Sequence, residues 1–212
     1  MRALLLATTN RHKLDEYRAI FTDLPFKLYS LQDIQLDMDV EETGTTFQEN
    51  AELKALAYAH ASNMLALADD SGLEIDALGG APGVYSARFA GPDATYEERF
   101  RLLFEQLRTV PVAQRTARFR CVISLAEPSG YLRSVEGIIE GLITEEPRGN
   151  NGFGYDPIFL VPELGKTTAE LTSEEKNRIS HRGRAARQAH NLLDRWPYPS
   201  EYPRGQGCLG RQ

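Results

Sequence analysis

Leu65-Ala66-Leu67-Ala68-Asp69-Asp70-Ser71-Gly72 is the stretch on which the reading of this chain turns. Four apolar residues suit a buried strand. They run into two adjacent carboxylates, a hydroxyl and a glycine. In isolation the polar half reads as a turn, because Asp, Ser and Gly are among the commonest turn formers. The other reading is that a strand ends here in an open α/β sheet, where ligand crevices form. Paired carboxylates at such a point suit magnesium, a hard cation that takes oxygen ligands and keeps several waters. Gly79-Gly80-Ala81-Pro82-Gly83 follows, too glycine-rich for ordinary helix or strand.

The whole chain sets limits on that choice. Its 212 residues make one large domain or two small ones. With 42% hydrophobic and 25% charged residues it belongs to the globular class and can bury a sizeable core. The formal net charge of -6 disfavours a nucleic-acid partner, so any phosphate ligand needs a local cluster of cations. No apolar run reaches membrane-spanning length, and residues 3–7 are strand-sized and lack a signal-peptide cleavage site. Cys121 and Cys208 make neither a disulfide framework nor a zinc site, and Cys121 reads as a small core residue. Cytoplasm is the expected compartment, with no membrane partner.

Toward the N-terminus, residues 2–7 read as a buried strand leading into Thr8-Thr9-Asn10, which caps a helix carrying Leu14, Tyr17, Ile20 and Phe21 on one face. Strand, polar turn and helix start together form an anion site of outward backbone N–H groups. Lys13 falls in the first turn, against the helix dipole, and a nearby anion would resolve that conflict. Residues 26–31 suggest a second strand and residues 36–44 an acidic loop. Thr45 with Gln48, or Thr46 with Glu49, has capping-box spacing for the next helix. Phe47, Ala51, Lys54, Ala55 and Tyr58 share one face of it, so Lys54 sits among apolar residues, either snorkelling or facing a cleft.

Toward the C-terminus, Thr95 and Glu98 open a helix that buries Phe100, Leu103, Phe104 and Leu107. Residues 116–125 and 131–139 read as a hairpin around the turn Glu127-Pro128-Ser129-Gly130. Strand–helix alternation followed by a hairpin implies a mixed sheet. In Gly149-Asn150-Asn151-Gly152-Phe153-Gly154-Tyr155-Asp156-Pro157, glycines permit close approach, aromatics can stack on a base, and Asp156 can read a base edge. Residues 157–162 suggest another strand. Thr172-Ser173-Glu174-Glu175-Lys176 opens a final helix running through Arg184, with Ile179, Ala186 and Leu193 buried. Gly183 inside it costs about 1 kcal/mol against alanine and so hints at a close contact. From Trp196 onward, proline and glycine predict a loosely held tail over residues 196–212, beyond a domain of residues 1–195.

Together these parts suit a nucleoside triphosphate with magnesium: cations for the phosphates, carboxylates for metal and water, and an aromatic loop for the base. There is no Walker A sequence. Six co-linear motifs also make the chain similar to the inosine triphosphate pyrophosphatase family. They are Leu6-Ala7-Thr8-Thr9-Asn10 with Lys13; Glu41 to Gly44 through Phe47, Asn50, Ala51 and Lys54; Ala68 to Leu73; Ala77 to Gly83 with Tyr85 to Arg88; Gly152 to Pro157; and Ala169 to Leu171 through Lys176 to Gly183. Where the family usually carries glycine, this chain has Thr9.

The resemblance implies hydrolysis of non-standard purine nucleoside triphosphates (XTP, ITP and dITP) to the monophosphate and pyrophosphate, with Mg2+ as cofactor. It implies Asp70 as base and metal ligand, and Glu41 as the second metal carboxylate, with Glu42 the alternative. Thr8, Asn10, Lys13, Lys54 and Lys176 match triphosphate-contacting positions; Thr9, at the departing position, is counted with them, and Ser71 lies beside the metal within reach of substrate. Phe153, Gly154, Tyr155, Asp156, Lys176, His181 and Arg182 match the pocket that holds the nucleotide. Asp69 falls into a supporting role beside Asp70. The implied architecture is an α/β fold with an elongated twisted mixed β-sheet flanked by helices, two lobes with a central cleft, and a homodimer.

Overall fold

The computed structural model describes residues 1–197. Most of the expected tail, including Cys208, lies outside the described residues. Seven strands form one sheet: β1 (Arg2–Leu6), β2 (Phe26–Ser30), β3 (Leu65–Ile75), β4 (Thr116–Ala126), β5 (Leu132–Ile143), β6 (Phe159–Val161) and β7 (Lys166–Thr167), in the order β2-β1-β3-β4-β5-β6-β7. β1 pairs in parallel with β2 and β3, whereas β6 runs antiparallel to β5 and β7. The sheet is therefore mixed, as the alternation followed by a hairpin implies. Five helices accompany it: α1 (Arg11–Ile20), α2 (Phe47–Ser62), α3 (Tyr96–Gln106), α4 (Ser173–Ile179) and α5 (His181–Asp194). No helix among the described residues is long and apolar enough to cross a membrane.

The chain divides into two compact units. The first takes in Met1–Asp70, Val122–Val135 and the chain from Ala185; the second takes in Ser71–Cys121 and Glu136–Arg184. In the first, Leu5, Ala55, Tyr58, Ala59, Ala66 and Ala68 share a core. The alanines of α2 leave little side chain between helix and sheet, which suits close packing. Thr46 caps α2 in a complete box with Glu49, which selects that pair over Thr45 with Gln48. In the second unit Leu73, Ile75, Phe100, Leu103, Phe119, Ile139 and Phe159 form the core. Thr95 and Glu98 cap α3 as their spacing predicts.

Two local expectations are corrected. The strand does not end at the carboxylates: β3 runs on through Asp69, Asp70, Ser71 and Gly72 to Ile75. Polar residues tolerate a buried strand when their side chains find partners, and both aspartates do (below). The final helix is also two helices. Ser180 is extended (φ -64°, ψ 159°) between α4 and α5, and its Oγ accepts the Gly183 amide at 3.1 Å, so it caps the second helix. Gly183 does sit at a close contact: a Cβ there would lie 1.8 Å from the Asn177 carbonyl oxygen.

The start of the expected tail is docked. Trp196 is buried, its indole N–H donates to Glu127 Oε1 at 2.9 Å, and its ring meets Tyr131 edge-on. Arg2 donates to the same Glu127 oxygen at 2.9 Å and to the Trp196 carbonyl at 3.1 Å. Trp196→Phe keeps most of the apolar area and removes one buried hydrogen bond. Its expected cost is about 1–2 kcal/mol, read as a lower urea midpoint with unchanged slope. An unchanged midpoint would show that the indole N–H contributes nothing to the docking.

Candidate functional site

Successive residues of a strand point to opposite faces. Asp69 and Asp70 consequently meet different helices. Asp69 Oδ2 receives the Lys13 ammonium of α1 at 2.8 Å, and this is the anion that the misplaced lysine required. Asp70 Oδ2 accepts from Asn50 Nδ2 of α2 at 3.0 Å. Lys54, one turn further along α2, sits 2.6 Å from Glu42 Oε1 and 3.8 Å from Asp70 Oδ1. Its inward position therefore faces charge, which settles the choice left open by the helical spacing. Asn50 is fully buried, and its Oδ1 accepts the Gly44 amide at 2.8 Å, tying the acidic loop to Asp70.

The electrostatics of this cluster are unbalanced toward negative charge. Burial is the main force raising the Asp70 carboxyl above its ordinary range. Lys54 opposes it, Glu42 adds to it, and the Asn50 hydrogen bond and Lys13 oppose it again. For Lys54, burial works to lower the pKa, but Asp70, Asp69 and Glu42 together outweigh it and hold the ammonium above its usual value. A carboxylate made more basic in this way is better suited to accept a proton at neutral pH. Glu42 joins the cluster, while Glu41 is exposed. Adjacent glutamates on a loop look alike in sequence, and only the folded loop separates them.

The oxygen donors fit a magnesium ion. Glu42 and Asp70 both approach the same ammonium. Among the described residues no three acidic, histidine or cysteine side chains converge as a complete metal cage. One or two carboxylates suffice for a divalent cation such as magnesium only where water and substrate phosphate complete its shell.

The turn before α1 differs from expectation. Asn10 Oδ1 accepts the His12 and Lys13 amides at 3.0 and 3.2 Å, and Thr8 Oγ1 accepts the Asn10 amide at 3.1 Å. The cap thus occupies two of the N–H groups expected to form an anion site. Thr9 is exposed beside them.

A second constellation lies wholly in the second unit. Lys176 Nζ and the Arg182 guanidinium lie over the Phe153 ring, 4.7 and 5.4 Å from its centroid. Arg182 also donates to Ser71 Oγ at 2.9 Å. His181 is buried with its ring stacked on Phe119 at 4.7 Å. Tyr155 is a core residue, its hydroxyl donating to the Ser86 carbonyl at 2.8 Å, and burial pushes its phenol well above the usual range. A shallow cavity of about 400 Å³ lies between the glycine loop and the start of α3, lined by Tyr96, Phe100, Asn150, Phe153 and Gly154 among others.

Asp156 corrects the idea that its carboxylate reads a base edge. It is 2% exposed; Oδ2 accepts from the Phe153 amide at 2.8 Å and from Lys176 Nζ at 2.6 Å, and Oδ1 accepts from Thr168 Oγ1 at 2.8 Å. Gly152 (φ +73°) makes the approach possible, since a Cβ there would meet Asp156 Oδ2 at 2.1 Å. Asn50 and Thr168 carry no assigned role in the sequence reading, and Glu42 enters it only as the alternative to Glu41. Asn50 had a usable signal, a polar residue four before Lys54 on the buried stripe of α2.

Fold and site together define a mixed α/β protein that carries a carboxylate–lysine cluster and a cation-lined aromatic loop. Residues 4–192 match the Ham1 family, and the chain belongs to that family. It is 47% identical over 194 residues to a dITP/XTP pyrophosphatase of Bacillus subtilis, covering 92% of this chain and 98% of the relative. It is 51% identical over 190 residues to a dITP/XTP pyrophosphatase of Exiguobacterium sibiricum, covering 90% and 96%. Among solved structures, a HAM1 protein from Coxiella burnetii is similar with TM-score 0.85 and 46% identity over 92% of this chain and 100% of that one.

Proposed function

We propose that this chain hydrolyses non-canonical purine nucleoside triphosphates (XTP, ITP and dITP) to the monophosphate and pyrophosphate, clearing them before incorporation into nucleic acid. The observation that carries this reading is the buried Asp70 carboxylate, raised in basicity and flanked by Lys54, Glu42 and Asn50. The names borne by its relatives agree with it. Asp70 takes a proton from water as the water oxygen bonds to the α-phosphorus. The bond from the α-phosphorus to the bridging oxygen breaks, and pyrophosphate leaves with the electron pair. When bound through Asp70 and Glu42, Mg2+ would acidify the water and neutralise phosphate charge. Lys13 and Lys54 supply positive charge to the triphosphate, and Thr8, Thr9, Asn10 and Ser71 supply hydrogen-bonding groups.

The base is assigned to Phe153 as the stacking face, with Lys176, His181 and Arg182 as donors. Gly154 lets the loop turn beside the base, and Tyr155 and Asp156 hold the loop from behind. Hypoxanthine and xanthine carry a 6-oxo acceptor where adenine carries an amino donor. A donor-lined pocket leaves unpaired groups with adenine, a mismatch worth up to about 10⁴-fold in discrimination. The same reading includes a homodimer acting in the cytoplasm.

The test is incubation of the protein with Mg2+ and ITP, dITP, XTP, ATP or GTP. Pyrophosphate from the first three is expected. Orthophosphate would overturn the cleavage site, equal rates on ATP would overturn the pocket argument, and binding without turnover would favour a nucleotide sensor. Glu42→Gln is expected to raise the Mg2+ concentration for half-maximal rate by about 10-fold or more, with Glu41→Gln close to wild type. The reverse ranking in a magnesium titration would return the metal to Glu41.

A further inference from the structure

We propose that Thr168 is a positioning residue for base selectivity, acting through Asp156 on Lys176. It lies just past β7, 1% exposed, with no place in any motif read from the sequence. Its hydroxyl has one hydrogen to donate, and two acceptors of Asp156 lie in reach: Oδ1 at 2.8 Å and the backbone carbonyl at 3.2 Å. The shorter contact fixes the carboxylate plane. With Oδ1 pinned, Oδ2 is aimed at the Phe153 amide and the Lys176 ammonium, at 2.8 and 2.6 Å.

The two groups so fixed are the stacking ring and the cation over it, held 4.7 Å apart. A buried ion pair such as Asp156 with Lys176 keeps one geometry only when further hydrogen bonds satisfy the carboxylate. Oδ1 receives its hydrogen bond from Thr168. The glycine loop cannot take over this restraint with a side chain at Gly152, because a Cβ would occupy the place of Asp156 Oδ2. Without the hydroxyl, the carboxylate can rotate about its last torsion, a broad two-fold well. Lys176 and the Phe153 loop then lose their common reference.

The effect on selectivity rests on the function proposed above, but the positioning itself does not. The test has two arms, each comparing Thr168→Val, which keeps the shape, with Thr168→Ser, which keeps the hydroxyl. In the first, Lys176 acylation by acetic anhydride is followed by peptide mass spectrometry. Val is expected to label several-fold faster than wild type and Ser at the wild-type rate. In the second, Val is expected to raise KM for ITP about 10-fold with kcat changed less than about twofold, and to narrow the ITP-over-ATP ratio. Ser restores both.

Wild-type labelling and wild-type selectivity in Val would overturn the proposal. So would a Ser variant as impaired as Val, since the methyl packing would then be the cause. If Val does not fold, Thr168→Ala against Ser makes the same comparison, with Ala impaired and Ser normal expected. Failure of wild type to hydrolyse ITP would defeat the proposed function, and the labelling arm alone would then decide the role of Thr168.

Discussion

Asp70→Asn is expected to lower kcat for ITP by about 10³-fold while leaving the fold and nucleotide binding in place. The size follows from the general-base role proposed for Asp70, a role typically worth about 10²–10⁴-fold. The retained fold follows from the local electrostatics. Burial is what raises the Asp70 carboxyl, so the charged form is the one the site disfavours, and asparagine removes that charge. Asn50 Nδ2 can still donate to the new carbonyl oxygen, and Lys54 keeps its 2.6 Å contact with Glu42. Thermal unfolding should therefore shift by no more than about 4 °C, while pyrophosphate release falls to near background. At Mg2+ concentrations high enough to offset the loss of a carboxylate ligand, KM should change little, because the proton transfer removed is made with the attacking water. A loss of binding equal to the loss of rate would move Asp70 from proton transfer to substrate positioning. Near-normal turnover would remove it from the chemistry altogether.

The contrast between Asp70 and its neighbours shows what the chain discloses before it folds. Local chemistry was legible. Capping pairs depend on three-residue spacing: Thr95–Glu98 stands as read, and of the two pairs read for α2 the fold keeps Thr46–Glu49. Lys54 was marked by its place on an apolar face, and Lys13 by its conflict with a helix dipole that a nearby anion would relieve. What sequence could not supply was the identity of partners far along the chain. Asp69 is satisfied by Lys13 and Asp70 by Asn50, so the strand continues through residues that locally look like a turn. Asp156 looked open to a ligand because its three donors come from Phe153, Thr168 and Lys176. Ser180 had the composition of a cap but stood inside a continuous helical pattern, and the break became visible only through its bond to Gly183.

Gly183→Ala puts the same local and long-range forces in direct opposition. Helix propensity favours alanine over glycine by up to about 1 kcal/mol, and Gly183 sits in the first turn of α5 without a positive φ. On local grounds the substitution stabilises. The new Cβ, however, would stand 1.8 Å from the Asn177 carbonyl oxygen and 2.8 Å from its carbon. Both are backbone atoms of α4, so no side chain can swing aside. Overpacking against atoms of this kind costs about 1–3 kcal/mol and sometimes more, and here relief requires α4 and α5 to separate at Ser180. The clash outweighs the propensity, and a net loss of about 2 kcal/mol or more is expected in urea unfolding. Separation also has a functional consequence, since Arg182 immediately precedes Gly183. Moving that turn takes its guanidinium from Ser71 Oγ and from the Phe153 ring. KM for ITP should consequently rise in the folded fraction, beyond what the stability loss explains. A variant as stable as wild type would show that the corner is loose enough to open without cost, and KM for ITP should then stay at the wild-type value as well.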